Sequence, residues 1–212
     1  MLQINVSQLC ISRADETVAA LEQIPAMQRR RLSGIAKLAL SSAIQSLNAE
    51  RADYIVWASQ YGDEHKTLNI LADVLQDQTP SPTQFSTSVH NAIAGLYSIL
   101  CQDATPSTSL AASWSEALIE AYAWLKTTMQ PNPRVLVVYY DEALPALYQE
   151  AEPFTAFAMS AIVGLDAPNL QLDMQALGNH CHKYKDALNF HDFWQQSAQN
   201  QVPLHTQAWQ TC

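Results

Sequence analysis

The most regular pattern lies between residues 32 and 47. There Leu32, Ile35, Ala36, Ala39, Leu40, Ala43, Ile44 and Leu47 recur at i, i+3, i+4 and i+7. That spacing puts them on one face of a buried α-helix. The same periodicity predicts a helix carrying Val89, Ala92, Ile93, Leu96, Tyr97 and Leu100, and another carrying Trp114, Ala117, Leu118, Ala121, Tyr122 and Leu125. Helices are also predicted over 14–24, with Asp15 and Glu16 near the favourable end of the dipole, and over about 64–75.

Strands are predicted at Leu2–Ser12, which starts as an alternating stretch, at Ser107–Ala111, a short candidate, and at Asp53–Ala58, Arg134–Tyr140 and Ala156–Leu165, which carry continuous apolar runs. Runs without polar alternation suit strands buried on both faces. Strands alternating with helices predict an α/β fold, a sheet with helices on both faces. Two prolines make residues 78–83 a loop. Beyond Asp166 the pattern weakens; Met174–Ala198 reads as helical, and Pro203–Trp209 as a closing strand.

Composition narrows the function. The chain has 212 residues, 48% of them hydrophobic and 15% charged, so it is expected to fold around a sizeable core. Its net charge of −9 repels phosphate backbones and anionic lipid, which disfavours nucleic acid and membrane surfaces as partners. No apolar run reaches the ~20 residues of a membrane span. The N-terminus lacks the basic start of a signal peptide, so a cytoplasmic protein is expected. Five glycines, none clustered, leave no cradle for a nucleotide cofactor. Cys10, Cys101, Cys181 and Cys212 are widely spaced and form no CxxC pair. Neither a cofactor nor a metal is expected.

Candidate chemistry is sparse. His180-Cys181-His182 lacks further ligands, and on a helix its histidines point ~200° apart. Arg29-Arg30-Arg31 could hold an anion, but reads more simply as a solvated helix start. Cys101 and His90 sit about three turns, or ~16 Å, apart on one predicted helix, too far for a thiol–base pair. No Gly-x-Ser-x-Gly elbow is present.

The block Ser81-Pro82-Thr83-Gln84-Phe85-Ser86-Thr87-Ser88-Val89-His90-Asn91-Ala92-Ile93-Ala94-Gly95 resembles the β-ketoacyl synthase N-terminal domain, whose elongation enzymes carry Asn-x-x-Ala-Gly at a helix start. Met27–Ser33, Ala58–Gly62 and Val137–Glu142 are similar to a shorter branch of that family, the chain-length factors of aryl polyene gene clusters. The likeness runs from the N-terminus to about Asp166.

The resemblance implies a layered thiolase-like half-fold with a mixed sheet: one domain over 1–212, with a C-terminal helical segment from about 167. It also implies a dimer whose sheets join, and an apolar surface left open where a complete synthase has its second half. His90, Asn91 and Gly95 are the motif residues.

In active members a nucleophilic cysteine follows a Pro-Ser-x-Ser strand at a helix start, where the dipole favours thiolate. Here that stretch is Pro106–Trp114. Counting from the proline puts Trp114 at the nucleophile position, and aligning the helix puts Ala111 or Ala112 there. No His-Gly-Thr segment supplies the decarboxylation histidines.

The implied role is a subunit with no catalytic residues, paired with a complete β-ketoacyl synthase and helping to shape its acyl tunnel. Acyl carrier protein would be engaged only indirectly, through that partner. The segment Gln84, Phe85, Ser86, Thr87 and Ser88 is the implied partner interface, although Phe85 would serve equally as a staple capping the next helix. The competing readings are a free-standing small acyltransferase or hydrolase using Ser113 or Cys101, and a homodimeric acyl-binding module.

Overall fold

A computed structural model describes residues 1–14, 19–148, 153–175, 177, 182–200 and 208–211. Seven strands form one mixed sheet: β1 (Leu2–Arg13), β2 (Tyr54–Ala58), β3 (Ser107–Leu110), β4 (Val135–Asp141), β5 (Phe157–Gly164), β6 (Leu170–Leu172) and β7 (Trp209–Thr211). Their order is β3-β2-β4-β5-β1-β6-β7, with β3, β2 and β4 parallel and the remaining pairs antiparallel. The helices are α1 (Ala26–Arg29), α2 (Gly34–Leu47), α3 (Glu64–Leu75), α4 (Pro82–Ser86), α5 (Ala92–Leu100), α6 (Trp114–Thr127) and α7 (Lys183–Asn200).

Side-chain alternation along β4 sorts two cores. Val135, Val137 and Tyr139 join a cluster with Trp114, Leu118 and Leu125 of α6 and Ala187, Phe190 and Phe193 of α7. Leu136, Val138 and Tyr140 point the other way, into a cluster with Ile35, Ala39 and Ala43 of α2 and Ile93 and Tyr97 of α5. All seven residues of β4 are buried, as its unbroken apolar run predicts.

Ser33 caps α2, accepting from the Ala36 N–H at 3.3 Å, and Asn48 closes the helix in the left-handed region at φ 46°. The buried face of α2 also carries serines. Ser160 Oγ lies 2.6 Å from Ser42 Oγ and 2.7 Å from Ser46 Oγ. Ser42 and Ser46 donate to the carbonyls of Cys10 and Gln8, where the β1 register shifts and Gln8 takes φ 52°. The hydroxyls of Ser42 and Ser46 thus satisfy carbonyls at the β-bulge, and Ser160 Oγ links the two.

Several expectations change. The helix read over 14–24 is a short 3-10 segment at Ala19–Gln23, ended by Pro25, which disfavours helical backbone in Ile24; residues 15–18 lie outside the described set. Arg29 ends α1 and Arg30 caps it, so the arginine run lies at a helix end, not at its start. The loop read over 78–83 ends in a helix: α4 begins at Pro82, whose fixed φ suits a first helical position, and runs into the 84–88 segment. Val89 is exposed and precedes α5.

The C-terminal helix begins at Lys183, and Leu170–Leu172 is a strand too short to carry a pattern. The closing strand is Trp209–Thr211; residues 201–207, like His180 and Cys181, are outside the described set. Helices of this chain cover both faces of the sheet, because Tyr184, Ala187, Phe190 and Phe193 of α7 pack beside α6.

Candidate functional site at the C-terminal edge of the parallel strands

Because β2, β3 and β4 run parallel, Ala58, Leu110 and Asp141 end at one edge of the sheet, where α/β folds commonly build sites. The connections leaving that edge are Ser59–Asp63 and Ala111–Ser113.

Asp141 organises the first connection. Its carboxylate is buried and accepts from Ser59 Oγ at 2.9 Å, from the Gln60 N–H at 3.2 Å and from the Tyr139 hydroxyl. Burial pushes its pKa above the ordinary value, against the lowering effect of these bonds. The Gly62 N–H donates to Ser59 Oγ at 2.7 Å, and Gly62 takes φ 73°, which favours glycine. His90 Nε2 lies 3.2 Å from the Ser59 carbonyl, which can only accept, so Nε2 carries a proton. The Tyr140 hydroxyl donates to the His90 carbonyl at 3.3 Å. His90 therefore ties the approach to α5 onto β2 and β4.

The second connection leads into α6. Ser113 is its N-cap in a full capping box: Ser113 Oγ accepts from the Glu116 N–H at 3.3 Å, and the Ser113 N–H donates to Glu116 Oε2 at 2.6 Å. Trp114, the first helical residue, is wholly buried, its indole 5.4 Å from the Phe190 ring. Ala112 is buried and Ala111 exposed. Lys183 closes the corner, donating to Glu116 Oε2 at 2.7 Å and to the Ala111 carbonyl at 3.1 Å.

Partial burial pushes the Glu116 pKa up, but the Lys183 hydrogen bond, the bond from the Ser113 N–H and the Lys183 charge bring it below the ordinary 4.5. A depressed carboxyl contributes stability that is present above its unfolded pKa and lost as pH falls through its folded one. Wild type should therefore melt above Glu116→Gln at pH 6, with the gap closing as pH falls below about 4.5. A pH-independent gap in thermal melts would contradict the capping role. Ser113→Ala should cost about 1 kcal/mol through loss of the cap; its hydroxyl is engaged in the helix start.

The groove on this side of the molecule lies at the open edge of β3. It encloses about 550 Å³ and is lined by His90, Asn91, Ala94, Gly95, Ser98 and β3 residues. All three motif residues read from the sequence thus meet there. The segment Gln84–Ser88 forms α4 and the turn after it, with Phe85 63% exposed and so not buried as a staple. Cys101 caps the far end of α5, where burial and then the Asp103 charge push its thiol up to about 11. Burial of this kind disfavours the thiolate, the nucleophilic form.

Asp141, Ser59, Lys183 and Asp186 were not legible as site residues. The available signal for Asp141 is an acid directly ending the strongest apolar strand. Among the described residues no group of three or more His, Cys, Asp or Glu side chains could hold a metal ion, and no helix is long and apolar enough to cross a membrane.

Residues 5–212 match the family model of the β-ketoacyl synthase N-terminal domain. Among solved structures, the ketosynthase ApeO in complex with its chain length factor ApeC from Xenorhabdus doucetiae is similar at 23% identity and a TM-score of 0.70. That match covers 82% of this chain and 85% of the other. A type II polyketide synthase complex, AntDE:AntF, of an acyl-carrier protein with its hexaketide-bound ketosynthase, is 12% identical with a TM-score of 0.56; the match covers 78% of this chain and 63% of that one. No curated protein matches the chain by sequence. The mixed seven-stranded sheet with helices on both faces is a thiolase-like fold. With nearly its whole length matched, the chain belongs to the β-ketoacyl synthase N-terminal domain family.

Proposed function

We propose that this chain is a non-catalytic, chain-length-factor-like subunit that pairs with a complete β-ketoacyl synthase and helps to shape its acyl tunnel. The observation that carries the reading is Trp114. An indole with no exposed surface occupies the first position of the helix after β3, where an active member needs a reactive thiol and room for substrate. Ala111 and Ala112, the positions in the other register, have no nucleophile to offer. The neighbouring hydroxyl of Ser113 is engaged in the capping box.

The partner surface is the open edge of β3 with its groove, together with α4. Among the described residues β3 pairs on one side only, and Gln84, Phe85, Ser86, Thr87 and Ser88 shortly precede His90 and Asn91, which line the groove. A permanent complex of this kind buries more than about 2,000 Å² in total. The chain's charge of −9 disfavours direct docking of an acidic acyl carrier, which the partner would receive instead. A cytoplasmic setting and an aryl polyene product accord with the likeness of Met27–Ser33 and Val137–Glu142 to that branch.

The test is co-expression with the complete ketosynthase encoded nearby. The two chains should co-purify, and this chain alone should form no ketoacyl product from acyl- and malonyl-carrier substrates. Product from the isolated chain, or stoichiometric acylation of Ser113 or Cys101, would establish the free-standing acyltransferase or hydrolase instead.

A further inference from the structure

A helix start leaves its first N–H groups without intrahelical acceptors, and the partial positive charge there attracts anions. In α6 three of these donors are already taken. The Ser113 N–H goes to Glu116 Oε2 at 2.6 Å, and the Glu116 N–H to Ser113 Oγ at 3.3 Å. The Ser115 N–H goes to Asp186 Oδ2 at 2.7 Å. Asp186 comes from α7 and is 4% exposed; its other oxygen accepts from Ser115 Oγ at 3.0 Å.

The same stretch of chain clamps the corner from further points. Trp209 Nε1 donates to Ser115 Oγ at 3.1 Å, and the Lys183 N–H donates to Gln60 Oε1 at 2.9 Å. The Phe190 ring lies 5.4 Å from the Trp114 indole and 5.5 Å from Trp209.

We infer that α7 and β7 form a built-in strap whose Asp186 carboxylate, with Glu116, fills the anion-binding end of α6 and so disables it electrostatically. This deepens the non-catalytic reading and rests on it. The indole blocks the site by volume, whereas the carboxylates block it by charge. A thiolate at residue 114 would sit next to Ser115, which Asp186 of α7 holds by two hydrogen bonds, and two positions before Glu116, which Lys183 holds; its side chain lies in the cluster that contains Tyr139, whose hydroxyl donates to Asp141. Lys183 bonds to Glu116 Oε2 at 2.7 Å. A like charge within about 4–6 Å raises a thiol pKa, opposing the helix dipole.

The test introduces a thiol as Trp114→Cys, alone and combined with Asp186→Asn, in the full chain. The pH dependence of iodoacetamide alkylation is read at residue 114 by peptide mass mapping, which separates it from the native cysteines. Removing the Asp186 charge should lower that thiol's pKa by about one unit or more, roughly tenfold more thiolate at neutral pH. If Trp114→Cys does not melt cooperatively, Ala112→Cys in the same two backgrounds reads the same field.

Equal pKa values in both backgrounds would overturn the inference, as would a single variant whose thiol already titrates below about 8.5. The reading of the chain as non-catalytic fails on a different result, product formation by the wild-type chain alone.

Discussion

Trp114→Ala is expected to lower the unfolding free energy by about 3–5 kcal/mol, a large share of a typical domain's 5–15 kcal/mol. The side chain is wholly buried between sheet and helices, in a cluster with Ala117, Leu118, Val137, Tyr139 and Phe190. Those neighbours belong to elements hydrogen-bonded elsewhere, so they cannot collapse into the space that the indole leaves. Trp114→Phe keeps a ring against Phe190 and should lose much less. Urea titration of the three proteins reads the difference. An unchanged midpoint for Trp114→Ala would mean that the indole is not a structural plug. No condensing activity should appear in that variant, because emptying the site supplies no nucleophile.

Ser109→Pro is expected to abolish association with the synthase, weakening it at least about a hundredfold, while leaving the melting temperature of the isolated chain nearly unchanged. The direction of backbone groups along β3 explains the asymmetry. The carbonyls of Pro106 and Leu110 accept from the N–H groups of Ile55 and Ser59, so the backbone groups of Thr108, between them in phase, face β2. Those of Ser107 and Ser109 face the open edge. A proline at 109 removes only an outward donor, as edge strands tolerate, and blocks strand addition by a partner. Thr108→Pro is the contrasting variant and should destabilise the fold itself. If the Ser109→Pro protein still co-purifies with the synthase at wild-type yield, the β3 edge is not the interface.

Local patterns carried much of the fold. The apolar face from Leu32 to Leu47 appears as α2, the span 64–75 as α3, and the unbroken run after Arg134 as the fully buried β4. These readings held because each element buries a face wide enough to show its period within its own residues. The candidate site was legible only where motif and local phase coincided. Trp114 is in helical phase with Ala117, Leu118, Ala121 and Leu125, and it is buried with them. The capping role of Ser113 could also have been read from Glu116 three residues later.

The rest depended on partners distant in the chain. Ser115 meets Asp186 across 71 positions, and Ser59 meets Asp141 across 82. No short window contains either pair. The docking of the C-terminal helix was hidden for the same reason. The helix Lys183–Asn200 has a mostly polar sequence, and only docking beside α6 shows that Tyr184, Ala187, Phe190 and Phe193 form a narrow buried stripe.

The sequence by itself determined the α/β alternation, the buried central strands and the absence of a cysteine at the helix start after β3. Tertiary structure decided the strand order, the sharing of the sheet's two faces between two cores, and the closure of the α6 end by α7. Periodicity reports which side of an element avoids water. It does not report which distant surface meets that side, because the hydrophobic effect is non-directional and the selecting hydrogen bonds form only after the chain has packed.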